Sequence, residues 1–75
     1  MNRRKIKLNE TNQAKEFVKA AEKCDFDIDV FYNRVIIDAK SILGVLSLDL
    51  TKILTVQYSG ENSDFENVLL KYQAN

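Results

Sequence analysis

The sequence predicts an α+β fold, an open-faced sandwich whose elements run β-α-β-β-α-β-α. Three observations lead there. Ala14, Phe17, Val18, Ala21 and Cys24 form an apolar stripe at helical spacing, and Phe65, Val68, Leu69 and Tyr72 form another. Between these helices run segments in which apolar and polar residues alternate with period two, as in half-buried strands. The polar sides of those strands carry Lys, Asp, Thr and Gln, so one sheet face meets water and the helices need cover only the other.

The elements follow in order. Residues 4–8 read as the first strand, with Ile6 and Leu8 on one face and Lys5 and Lys7 on the other. The polar residues 9–13 then offer Thr11 or Asn12 as a helix N-cap. The first helical stripe is backed by Lys15, Glu16, Lys19, Glu22 and Lys23, and the pairs Glu16–Lys19 and Lys19–Glu22 are spaced to support its solvent face. Residues 25–32 alternate acids with apolar residues as a second strand, with Phe26, Ile28 and Val30 inward. Asn33 and Arg34 read as a two-residue hairpin turn, because Asn tolerates the left-handed backbone such turns use. Residues 35–38 are the short return strand. Residues 41–48 form a short helix that is more apolar than a surface helix of that length can bury. Residues 53–58 make the last strand, closed by Ser59 and Gly60, and Asn62 or Ser63 caps the final helix. No linker, repeat or proline interrupts the chain, so residues 1–75 are expected to form a single domain.

Composition narrows the function. At 45% hydrophobic and 29% charged, the chain is globular. A domain of this size buries only about 60% of its unfolded surface, so every periodic segment must serve the core. Eleven basic residues balance eleven acidic ones, which leaves no global charge to draw nucleic acid or an anionic membrane. No apolar run approaches the roughly 20 residues of a membrane span. The single cysteine, Cys24, excludes an internal disulfide and suits a reducing, cytoplasmic setting. Histidine is absent, which removes the commonest general base and metal ligand. No acid, base and nucleophile set can be assembled at these spacings, so no enzyme, cofactor or metal is expected.

Lys40, Ser41, Ile42, Leu43, Gly44, Val45, Leu46, Ser47 and Leu48 together resemble the regulatory-serine segment of HPr, the phosphocarrier of the bacterial phosphoenolpyruvate–sugar phosphotransferase system. The run from Phe17 to Lys23 is similar to the end of that family's first helix, and Phe31, Tyr32 and Asn33 resemble its hairpin turn. From Ala14 onward the order and spacing follow the family. The resemblance implies an antiparallel four-stranded sheet of order 1-4-2-3 covered on one face by three helices. It also marks a departure. HPr carries Gly-aliphatic-His-Ala-Arg-Pro before its first helix, where this chain has Asn9, Glu10, Thr11, Asn12, Gln13 and Ala14. Neither the phospho-accepting imidazole nor the phosphate-binding arginine has an equivalent, and a carboxylate acceptor at Glu10 would lack a neutralising cation. Phosphotransfer through histidine is therefore not expected.

The resemblance supplies two candidate sites. Ser41 matches the serine that HPr kinase/phosphorylase phosphorylates in Gram-positive relatives to control carbon catabolite repression. A phosphate there would meet free backbone N–H groups, with Lys40 beside it. Ser41 also reads simply as a helix cap, and the two roles are compatible. Ile42, Leu43 and Leu46 match the exposed apolar patch that the family offers to its partners, with Lys40 and Gly44 expected in the same partner-binding surface, while Val45 and Leu48 should turn inward. The other reading puts all of these apolar residues in the core. Gly44 would let a partner or a neighbouring backbone approach, or would serve packing alone. Together these features imply a regulatory or docking module without phosphocarrier activity, monomeric or weakly dimeric, switched at Ser41. Its partners would be HPr kinase/phosphorylase and a transcriptional or phosphotransferase-system protein. The alternative is a structural HPr-fold domain that self-associates through Leu43 and Leu46.

Other candidates have simpler explanations. Arg3, Arg4, Lys5 and Lys7 lack the aromatic interleaving of a nucleic-acid site and read as a solvated strand. Asp25, Asp27 and Asp29 sit on a strand, which cannot wrap an ion as a calcium loop does. Cys24 reads as a small core residue. Tyr32, Tyr58 and Tyr72 are expected to pack their rings and leave their hydroxyls in water.

Overall fold

The structure, a computed structural model, describes residues 1–74. The elements are β1 (Asn2–Ile6), α1 (Thr11–Glu22), β2 (Ile28–Tyr32), β3 (Val35–Asp38), α2 (Ile42–Leu46), β4 (Leu54–Tyr58) and α3 (Ser63–Lys71). The four strands form one antiparallel sheet in the order β1-β4-β2-β3. β4 is the last strand in sequence yet occupies the interior. It pairs with β1 from Asn2–Tyr58 to Ile6–Leu54, and with β2 from Ile28–Tyr58 to Phe31–Thr55.

Strand alternation decides which face is covered. Ile6, Ile28, Val30, Leu54, Val56 and Tyr58 are buried beneath the helices. The opposite face stays polar, and there Arg3 Nε donates to Gln57 Oε1 at 2.7 Å while its guanidinium lies 5.9 Å from the centre of the Phe31 ring. The α1 stripe is buried as its spacing requires, with Ala14, Phe17, Val18, Ala21 and Cys24 all in the core. α1 contacts α3 on one side and α2 on the other. Phe65 joins the layers, with its ring centre 5.9 Å from that of Phe17 and 5.3 Å, edge-on, from that of Tyr58. Such aromatic pairs add about 0.5–1.5 kcal/mol beyond the area they bury.

Several boundaries differ from expectation, each because a residue distant in sequence decides the outcome. β1 ends at Ile6, and Leu8 is buried in the connection that follows it. β2 starts at Ile28 because its neighbour β4 ends at Tyr58, so earlier residues have no ladder partner. Phe26 instead stacks on Tyr58 with ring centres 6.0 Å apart and lies against Gly60. Gly60 holds φ +152°, open to glycine and strained for other residues. β4 likewise starts at Leu54, opposite the last residue of β1, and Ile53 is left exposed. The hairpin turn is Asn33–Arg34 as expected, with Asn33 at φ 55°.

The α1 cap is neither Thr11 nor Asn12. Thr11 is already helical and Glu10 holds the extended N-cap position without a side-chain cap bond. Gln13 reaches back instead, its Oε1 accepting the Asn9 N–H at 2.8 Å. Asn62 caps α3, its Oδ1 accepting the Phe65 N–H at 3.0 Å. Glu16 is not paired along its own helix. Its carboxylate is held by Lys71 Nζ at 3.1 Å and by the Tyr72 hydroxyl, both at the end of α3. Two of the three tyrosine hydroxyls are therefore not left to water, since Tyr58 likewise donates to Glu66.

Candidate functional site around helix α2

Ser41 stands at the head of α2 with extended backbone, φ −101° and ψ 106°, and an exposed side chain. Its Oγ accepts the Gly44 N–H at 3.2 Å, which is the expected cap. The helix is only five residues long. Ser47 closes it, with its N–H bonded to the Leu43 and Gly44 carbonyls and its Oγ donating to the Gly44 carbonyl at 2.5 Å. So short a helix brings little dipole to a phosphate on Ser41, and the support available is the N–H groups of its one turn.

Lys40 does not face Ser41 as expected. It is half-buried, and its Nζ donates to the Cys24 carbonyl at 2.9 Å. Its charge thus answers the carbonyl end of α1, the favourable place for a cation. Gly44 has an internal reason. A Cβ there would come within 2.6 Å of Ile37 Cγ2 and 3.1 Å of Ser41 Oγ, so the glycine lets α2 lie close on β3. The Ile37 side chain takes up the space beside it.

The apolar residues divide unevenly. Leu43 is 80% exposed, while Ile42 and Leu46 are half-buried and packed against the core. Val45 and Leu48 are buried, as expected. With Val45 as the inward anchor, its neighbours along the turn are drawn partly under, and Leu43 alone stands clear. Ile42 also forms part of a shallow hollow of about 250 Å³ between α1 and α2, together with Lys15, Val18, Lys19 and Glu22. Two further apolar residues, Val35 and Ile36, are exposed next door on β3. The run Val35, Ile36, Ile37 after a hairpin turn is the only signal that could have marked them.

The connection between β1 and α1, residues 7–10, is folded onto the body of the protein. Lys7 N–H donates to the Tyr72 carbonyl at 2.9 Å, and the Glu10 carbonyl accepts from Gln13 and Ala14. Among the described residues no cation lies within ion-pair distance of Glu10, and no three His, Cys, Asp or Glu residues gather to hold a metal ion. The perturbed groups are structural ones. The Tyr72 hydroxyl first, and then Lys71, hold the Glu16 carboxyl below the usual range. Burial raises the Cys24 thiol, whose Sγ donates to the Ala20 carbonyl at 3.5 Å. The Thr51 hydroxyl and N–H lower Asp49 in the turn before β4. No described helix is long and apolar enough to cross a membrane.

The family model described as PTS HPr component phosphorylation site matches residues 9–72. Two solved structures share the fold. HPr-C-His from Thermoanaerobacter tengcongensis is 23% identical, with a TM-score of 0.76 over 95% of this chain and 89% of that one. The phosphocarrier protein HPr from Bacillus anthracis strain Ames is 20% identical, with a TM-score of 0.73 over 96% of each chain.

Proposed function

This chain belongs to the HPr family of the phosphotransferase system, and from that membership we propose that it acts as a docking and regulatory module without histidine phosphocarrier activity. The observation that carries this reading is Leu43, 80% exposed on α2 with no catalytic side chain nearby, in a chain that contains no histidine. A partner would seat Leu43 and the exposed flanks of Ile42 and Leu46, since exposed apolar surface of this kind marks interaction sites. Ser41 is the candidate switch. A phosphate on its hydroxyl would add about −1.5 to −2 charges at the rim of that surface, attracting an arginine-bearing partner and repelling an acidic one. The partners in this reading are HPr kinase/phosphorylase and a transcriptional or phosphotransferase-system protein, and the chain itself catalyses nothing.

Intact mass after incubation with ATP, Mg²⁺ and an HPr kinase tests the switch. One added phosphate is expected on the native chain and on Ser47→Ala, and none on Ser41→Ala. The Ser41→Ala control loses a cap worth about 1 kcal/mol, so its fold is checked by circular dichroism. A parallel sample with phosphoenolpyruvate and Enzyme I should gain nothing. Phosphate acquired there would overturn the non-carrier reading, and an unmodified chain with ATP would remove Ser41 as the switch.

A further inference from the structure

The two edges of the sheet are treated differently. The β1 edge is occupied: the Lys5 carbonyl accepts the Ala74 N–H at 2.8 Å, and Ile6 bridges to Gln73. Arg3 and Lys5 add charge along it, another common way of blocking strand addition. The β3 edge has no such cover among the described residues. β3 pairs with β2 alone, and Val35 and Ile36 stand 47% and 68% exposed along it.

The backbone phase of that edge can be read from one bond. Ala39 N–H donates to the Ile28 carbonyl at 2.9 Å. In an antiparallel ladder the hydrogen-bonded pairs then alternate as 28/39, 30/37 and 32/35. Val35 and Ile37 turn their backbone groups inward to β2, whereas Ile36 and Asp38 turn theirs outward. The Asp38 carbonyl already accepts the Ser41 N–H at 3.0 Å. The outward N–H groups of Ile36 and Asp38 and the Ile36 carbonyl are left for a new strand.

We propose that a second copy of this chain occupies the β3 edge, pairing antiparallel about a two-fold axis through Ile36 to join two four-stranded sheets into one. The chemistry of β3 selects this occupant. An axis through Ile36 sets that residue opposite its own copy, which satisfies the N–H and C=O groups of both. The same register sets Arg34 opposite the partner's Asp38, and Asp38 opposite the partner's Arg34. Ile36 and Asp38 lie on the open face, across from Phe31 and Asp29, and the exposed Arg34 stands in the turn just before β3. Within one copy Asp38 lies across from a like charge, Asp29, while its carboxylate accepts the Lys40 N–H at 2.9 Å, and the second copy supplies the opposite charge. A strand of four residues buries less than the roughly 1,200 Å² of a stable complex, so the dimer is weak and forms with rising concentration.

Sedimentation velocity on the full chain at about 10 µM and about 1 mM tests this, a range that brackets weak association. The expected result is monomer at the lower concentration and dimer at the higher, with the Ile36 amide slowed in hydrogen exchange only at the higher. Arg34→Glu and Asp38→Lys alter exposed side chains and should each remain monomeric. Mixed in equal amounts they should dimerise again, because each like-charged pair becomes an opposite one. Leu43→Lys, on α2, should dimerise as the native chain does. A native chain monomeric at 1 mM overturns the proposal. So does a mixture that stays monomeric while both variants are folded, or a dimer abolished by Leu43→Lys.

Discussion

Tyr58 shows how one side chain ties core packing to protonation. Its ring is 2% exposed, stacked by Phe26 and met edge-on by Phe65, while its hydroxyl donates to Glu66. Burial first, and then the bond to the Glu66 carboxylate, push the phenol up to about 12, with Arg4, 3.6 Å from Glu66, working the other way. An unfolded tyrosine titrates near pH 10. Folding therefore favours the protonated phenol, and that stabilisation is whole below about pH 10 and is lost as pH rises toward 12. Tyr72 is shifted in the same direction by Glu16, so it shares the trend. Urea midpoints measured between pH 10 and 12 should fall steeply for the native chain and less steeply for Tyr58→Phe. Equal slopes would show that Tyr58 has no part in alkaline unfolding.

At the level of single elements, α2 is a short helix whose seat depends on one missing methyl group. Gly44→Ala would improve helix propensity by up to about 1 kcal/mol. It would also press a Cβ into the branched Ile37 side chain, and overfilling of that kind costs about 1–3 kcal/mol. Chemical denaturation should find the variant less stable by about 1 kcal/mol, and a more stable variant would mean that α2 is free to lift from β3. The same helix shows what a sequence can disclose. The α1 stripe, the Asn33–Arg34 turn and the Asn62 and Ser41 caps were legible because each depends on neighbours a few residues apart. The start of β2 was not, because it is set by the end of β4 at Tyr58. Nor was the pairing of Glu16 with Tyr72, whose partners lie 56 positions apart. Ile42, Leu43 and Leu46 look alike in sequence. Their different exposure follows from how Gly44 seats the helix on Ile37.

The whole molecule is closed by its topology. β1 and β2 do not touch as neighbours; β4 stands between them, and most of the sheet is cemented by its two ladders. Contacts of such long sequence separation form late, because large loops must close first. A chain stopped after residue 52 keeps the β2–β3 hairpin and α1 but loses the strand that joins them to β1. It should be degraded by a nonspecific protease at a concentration that leaves the full chain intact, and survival of the fragment would show that α1 and the hairpin form a domain without β4.

The central position of β4 also bears on how the protein is made. Synthesis delivers β1 first, yet β1 has no strand to join until Leu54 to Tyr58 have left the ribosome. Until then the nascent chain carries the apolar face of α1 and two unfilled strand edges. The sheet is thus completed only once β4 has emerged and slides into a gap flanked on both sides.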